Sequence, residues 1–177
     1  MSSPIQLQFE STLPITAETA WRWITDVDLL RAEMRPWLRM SVPPGVRSLD
    51  DLTLIPGRPL FTSRLWLLGC LPMGHSHLTL ESLEAGHGFV ECSPMTGMRL
   101  WRHERTLYAV EGGVRLCDRL TFEPRLATLL VRALTRFFFN QRHQALRRRA
   151  SALHKEHPGD GPPPPDRPNP RPGHRRR

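Results

Sequence analysis

The chain has 177 residues and a mass of 20.4 kDa, enough for one domain of ordinary size. Its composition, with three cysteines, excludes a disulfide miniprotein, a collagen-like chain and a wholly disordered one. The net charge is +8, yet Lys155 is the only lysine among 25 basic residues. A phosphate-binding surface ordinarily mixes arginine with lysine. So strong an arginine bias, beside 18 prolines and 12 glycines, reads as coding composition, and charge alone points to no nucleic acid.

The charge and the apolar residues are unevenly spread. Residues 158–177 hold 8 of the 18 prolines and no Ile, Leu, Val, Phe, Tyr or Trp. Such a segment cannot bury apolar surface, so residues 154–177 are expected to form a disordered Pro/Arg-rich tail behind a domain of residues 1–153. Cys70, Cys92 and Cys117 are odd in number and contain no CxxC pair, which fits a reducing compartment. The start, MSSPIQLQFE, has no basic segment followed by an apolar one. The longest apolar run, residues 65–73, is interrupted by Gly69 and Pro72 and is too short to span a bilayer. The expectation is a cytoplasmic protein without a membrane span.

In chain order, Ile5, Leu7 and Phe9 alternate with Gln6, Gln8 and Glu10, the period of a half-buried strand. Leu13-Pro14-Ile15 breaks it. Thr16 is placed to cap a helix in which Ala17, Ala20, Trp21 and Ile24 share a face. A second short helix, residues 28–34, stops before Arg35-Pro36. Pro43-Pro44-Gly45 is a loop. From Leu52 to Glu123 short apolar runs alternate with turn residues, which predicts a meander of about five or six antiparallel strands. Pro124 closes the last one. Residues 126–153 then run without Gly or Pro as one helix of about seven turns. Its predicted apolar stripe is Leu126, Leu130, Ala133, Leu134, Phe137, Phe138, Gln141, Ala145 and Leu153, with Arg132, Arg136, Arg142, Arg147 and Arg149 opposite.

A meander that is apolar on one face needs a cover, and the long helix is the one element large enough. A curved sheet wrapped around it leaves a cavity unless large side chains fill the space. This order resembles the helix-grip fold of the START-like (SRPBCC) superfamily, an α+β architecture. Within it the chain is similar to a bacterial branch described as ligand-binding or polyketide-cyclase-like. The likeness runs over roughly residues 5–153. It is carried by Phe9, Pro14-Ile15 and Ala20-Trp21, by Leu29-Leu30 and Met34-Arg35-Pro36-Trp37-Leu38, and by Leu71-Pro72. Phe89, Gly97, Trp101 and His103 follow, then Gly112-Gly113, Asp118-Arg119-Leu120, Arg142-His143 and Leu146-Arg147-Arg148. Two places depart from that branch: Arg105 stands where it often repeats the histidine, and Glu91-Cys92-Ser93 replaces Asp-x-Gln.

Trp101, His103, Arg105 and Leu107 share one strand face by alternation, and the resemblance turns that face toward the helix. The candidate ligand-binding residues are Trp101, His103, Arg105, Asp118, Phe137 and Gln141, with Arg105 near the cavity mouth. Two readings stand side by side. In one, His103 and Arg105 orient a ligand's oxygen; in the other, they pair with Glu81, Glu91 or Asp118 as a satisfied network. His75 and His77 share a strand face but lack the companions of a zinc site, so no metal and no cofactor is expected. No GxSxG, GxGxxG or GxxxxGK[ST] is present. The function expected is binding of a small apolar or amphipathic ligand. The alternative is a cyclase, aromatase or dehydratase acting in the same cavity, and a third, weaker reading is an anionic surface or nucleic acid held by the Arg clusters. Nothing in the sequence indicates an oligomer.

Overall fold

The computed structural model describes residues 3–55 and 57–156. Strand β1 (Ile5–Leu13) alternates as its sequence implies, with Leu7, Ser11 and Leu13 buried. Helix α1 (Ala17–Thr25) is capped by Thr16, whose hydroxyl accepts from the Thr19 N–H at 3.2 Å. Asp26 ends α1 and caps α2 (Val27–Met34) by accepting from the Leu29 N–H at 2.9 Å. Seven strands follow: β2 (Leu38–Met40), β3 (Phe61–Leu67), β4 (Leu71–Leu78), β5 (Leu80–Glu84), β6 (Gly88–Cys92), β7 (Met98–Val110) and β8 (Gly113–Pro124).

All neighbouring strands are antiparallel, but the meander is divided. One sheet has the order β1-β8-β7-β6-β5 and the other β2-β3-β4. The chain passes from β4 to β5 through Thr79 alone, so consecutive strands join different sheets. The sheets meet where residues 75–79 run beside residues 92–96, held by backbone bonds such as His77 N–H to the Pro94 carbonyl at 2.9 Å.

The long helix is α3 (Thr128–Glu156), unbroken, packed on β1 and α2. It starts two residues later than its periodicity suggests, because Ala127 adopts a left-handed φ of 53°. At its other end it runs through residues 154–156, which the composition places in the tail. The rest of that expected tail, from residue 157, lies outside the described residues.

The buried face of α3 differs from the stripe read in the sequence. Thr135, Phe139, Arg142, His143, Leu146 and Ala150 face inward, whereas Leu126 and Leu130 are exposed. The inward face is displaced by one residue, about 100° of turn. Counting apolar side chains misplaces it because two of the inward residues are Arg142 and His143, which buried acids on α2 and β8 take as partners. The apolar core divides accordingly. Leu13, Ile15, Ile24, Leu116 and Leu146 pack at one end, and Leu7, Leu120, Phe122 and Phe139 at the other.

The sheet that carries the site depends on a close approach at Gly88. A Cβ there would stand 2.0 Å from the Arg105 carbonyl oxygen, on a backbone with φ of +152°. Backbone cannot move aside as a flexible side chain can. Gly88→Ala is expected to lower the unfolding free energy by about 1–3 kcal/mol in urea titration, and an unchanged midpoint would show that β6 and β7 are looser than described.

Candidate functional site: a cavity backed by a buried ion network

A cavity of about 490 Å³ lies between the two sheets and the helices. The five-stranded sheet contributes Phe89, Glu91, Trp101 and His103, and the three-stranded sheet contributes Phe61, Ser63, Leu65, Ser76 and Leu78. Helix α2 adds Leu30 and Met34; α3 adds Val131, Leu134, Thr135, Phe138, Phe139 and Arg142. Most of these side chains are apolar, and the few polar ones converge from β3, β4, β6, β7 and α3. Ser63 Oγ is buried in the wall without a hydrogen-bond partner.

Two of the six residues singled out in the sequence line the cavity. Trp101 is half-buried against Phe122 and Phe139, with ring centroids at 5.8 and 6.5 Å. His103 is held edge-on between Phe89 and Phe139, at 5.4 and 5.2 Å. Arg105 is not at the mouth. It is completely buried behind His103, because it stands directly across the strand pair from Asp118. Asp118 is likewise completely buried and outside the lining. Phe137 packs edge-on against Trp37 at 4.9 Å, and Gln141 is half-buried; neither lines the cavity. The displaced face of α3 puts Phe138, Phe139 and Arg142 in the wall instead.

Behind the wall, both oxygens of one carboxylate are doubly engaged. Asp118 Oδ1 accepts from Arg105 Nε at 2.7 Å and pairs with His103 Nε2 at 2.9 Å. Its Oδ2 accepts from Arg105 Nη2 at 2.8 Å and pairs with His143 Nε2 at 3.1 Å. On the far side of His143, Nδ1 is 2.7 Å from Ser11 Oγ, which itself accepts from Arg147 Nη1 at 2.7 Å. An ionised carboxylate only accepts, so Nε2 of His143 is the donor to Asp118. A second carboxylate, Glu33 of α2, accepts through Oε2 from Arg105 Nη1 at 3.3 Å and from Arg142 Nη2 at 3.1 Å. Two carboxylates and two guanidiniums thus balance in the interior.

Electrostatics follows the geometry. Burial works against the Asp118 charge, but Arg105 and then His103 outweigh it and hold its carboxyl well below the usual range. Burial likewise opposes the Arg105 charge, and Asp118 and Glu33 together raise its affinity for the proton. Arg142 moves the other way: burial and the neighbouring Arg105 lower it despite Glu33. With Nε2 committed to Asp118, His103 turns Nδ1 toward Glu91 Oε2, 3.5 Å away. Ser93 Oγ donates to the other Glu91 oxygen at 2.6 Å. His103 and Glu91 therefore face each other in the cavity wall, each oriented from behind.

Glu33, His143, Arg142 and Ser11 were not singled out as a site in the sequence. For Arg142 and His143 the one signal is the run of polar residues at 3- and 4-residue spacing on α3, which reads as a solvated face until Glu33 and Asp118 are placed opposite it; Glu33 and Ser11 have no such signal. The other two features weighed in the sequence are ordinary. His77 Nδ1 is 2.9 Å from Thr62 Oγ1, and no group of three or more His, Cys, Asp or Glu among the described residues is arranged to hold a metal. Arg149 stacks over Trp23 at 4.6 Å.

The family model described as "Domain of unknown function (DUF8410)" matches residues 11–150. The chain belongs to this family. The DUF8410 domain therefore takes in the ion network and the cavity wall together, from Ser11 on β1 to Ala150 on α3. No curated protein matches the sequence. Among solved structures, the domain is similar to the Zhui aromatase/cyclase from Streptomyces sp. R1128, at 12% identity and a TM-score of 0.60, over 88% of this chain and 98% of that one. It is also similar to a Thermus thermophilus protein, TTHA0849, at 16% identity and a TM-score of 0.57, over 84% of this chain and 99% of that one. A third likeness is to Ara h 8.0201, at 12% identity and a TM-score of 0.51, over 81% and 97%. At such identities the likeness is one of fold. The DUF8410 domain has the helix-grip fold, α+β, with an antiparallel sheet gripping a long C-terminal helix.

Asp118→Asn leaves Arg105 buried with half its countercharge gone, and is expected to cost about 3–5 kcal/mol of stability. The pH dependence has a definite sign. The folded-state pKa of Asp118 is depressed, so its contribution is complete above the unfolded value of about 4 and is lost as pH falls below it. Urea midpoints measured between pH 5 and pH 3 should therefore fall more steeply for the parent than for Asp118→Asn. Parallel curves would mean the carboxylate is not held by this network.

Proposed function

We propose that the protein binds a small apolar or amphipathic molecule in this cavity and holds an oxygen of that molecule at His103. The observation that carries the reading is the cavity itself: about 490 Å³, apolar walls, and one imidazole edge beside Glu91. That volume lies within the range of pockets that enclose small ligands, roughly 300–1,000 Å³. The cage of Phe89 and Phe139 fixes the ring plane, and Asp118 fixes which nitrogen remains for the cavity. A planar polycyclic molecule suits walls built from Phe61, Phe89, Trp101, Phe138 and Phe139. Trp101 stands beside the polar edge and would report on occupancy.

A second reading has a specific observation in its favour. A carboxylate behind an imidazole, with a second carboxylate in front, is an arrangement that moves protons. The resemblance to polyketide cyclases makes a cyclase, aromatase or dehydratase reaction the natural form of it. A binder returns its ligand unchanged; an enzyme turns it over and loses rate on His103→Ala.

The test uses two probes of matched shape, 2-naphthol and naphthalene, followed by quenching of tryptophan emission with Trp101→Phe as the control. His103→Ala should weaken 2-naphthol by about 5- to 150-fold, the loss of a buried polar partner worth about 1–3 kcal/mol. Naphthalene, which has no oxygen to place, should bind the variant as it binds the parent. A variant that binds 2-naphthol as tightly as the parent does would remove His103 from the site.

A further inference from the structure

The rotation of α3 leaves leucines at its start unburied. Leu126 and Leu129 are each 81% exposed and Leu130 is 60% exposed. They cluster where α3 begins, on a helix whose buried face starts only at Val131 and Thr135. Leu126 also lines the cavity, as does Met73 of β4, which is 44% exposed. Leu126 and Met73 stand at the cavity and at the surface together, so they mark its rim, and Leu129 and Leu130 follow Leu126 within about one helical turn. Single exposed leucines are ordinary; a rim of them around an opening into an apolar cavity is not.

The charge along the start of α3 has one sign. Between Glu123 and Glu156 the sequence contains no acidic residue. The first turn of α3 has none, although a helix start favours them. Arg125 lies on the cavity lining beside Leu126. Along the helix, Leu129, Arg132, Ala133 and Arg136 recur at spacings of three and four, and all four are exposed. At about 1.5 Å per residue, Arg132 and Arg136 stand roughly 4 and 10 Å along the axis from Leu129. Apolar tips with cations set back by that distance match the boundary between acyl chains and anionic headgroups.

We propose that the start of α3, with Leu126, Leu129 and Leu130 as the inserted tips and Arg132 and Arg136 as the headgroup contacts, docks the protein on an anionic lipid bilayer with the cavity mouth facing it. The inference rests on the ligand-binding reading for its purpose: an apolar ligand then passes between bilayer and cavity without crossing water. A bilayer suits this surface better than a protein partner. The tips are leucines at a helix end, a residue under-represented among the hot spots of protein interfaces. It is the placement of the arginines, not their number, that supports an anionic partner.

The experiment is co-flotation of the full chain with two kinds of vesicle, phosphatidylcholine alone and phosphatidylcholine with about one third phosphatidylglycerol. The expected result is flotation with the mixed vesicles, weakened by salt. Leu129→Ser with Leu130→Ser keeps the charge and should reduce partitioning by about tenfold or more. Arg132→Ser with Arg136→Ser should reduce it by about fivefold per arginine removed. Both variants alter exposed positions and should bind 2-naphthol in free solution as the parent does, which separates failure of docking from failure of the ligand site. The proposal is overturned if the parent floats with neither vesicle, or if the leucine variant floats as well as the parent. It is also overturned if the parent is a dimer that the leucine variant dissociates, because the rim then belongs to a second copy of the chain.

Discussion

The site depends on the carboxylate of Asp118. An ionised group with no exposure to water is stable only if the interior supplies what water would have supplied. Here two bonds from Arg105 and one contact from each of His103 and His143 do so. Each of those partners is fixed in turn. Arg105 reaches Glu33 on α2, Glu33 reaches Arg142 on α3, and His143 reaches Ser11 on β1. One buried charge thereby ties β7, β8, α2, α3 and β1 to a single arrangement. It also sets how α3 is rotated, since Arg142 and His143 must both face inward.

The consequence for function lies in what this arrangement leaves open. A helix turned to satisfy Asp118 and Glu33 cannot also press its richest apolar face on the sheet. Space remains between them, and the wall of that space is mostly apolar, with a few polar groups that include those of the network. His103 and Arg142 are points of contact between the two, and His103 has one ring nitrogen in the network and the other on the cavity side. The same rotation leaves Leu129 and Leu130 without cover beside the rim. Cavity, polar contact and exposed rim are thus three results of one rotation.

Much of this was legible in the sequence because it follows local rules. Thr16 caps its helix, Pro124 ends the last strand, and the alternation of Trp101, His103, Arg105 and Leu107 puts them on one face. The helix-grip order follows from those elements in series. The rotation of α3 was not legible. Periodicity finds the apolar face of a helix, and here buried acids from other elements draw Arg142 and His143 inward, which no local pattern encodes. Phe137 and Gln141 were misplaced in the lining for that reason, and Phe138, Phe139 and Arg142 stand in the wall. The division into two sheets was hidden for a similar reason, since Thr79 has none of the Gly or Pro marks of a turn. Strand parity places Arg105 with Trp101 and His103 but does not set its depth; its cross-strand partner Asp118 buries it.

The two network histidines offer a direct test, because the cavity meets only one of them. His103 lines it and His143 does not, although both pair with the same carboxylate. Side-chain nitrogen resonances of the two imidazoles, followed by NMR during titration with 2-naphthol, separate them. The account predicts that the His103 ring resonances move with saturation while those of His143 hold. Binding of 2-naphthol that leaves His103 unmoved, or that shifts His143 more than His103, would contradict it.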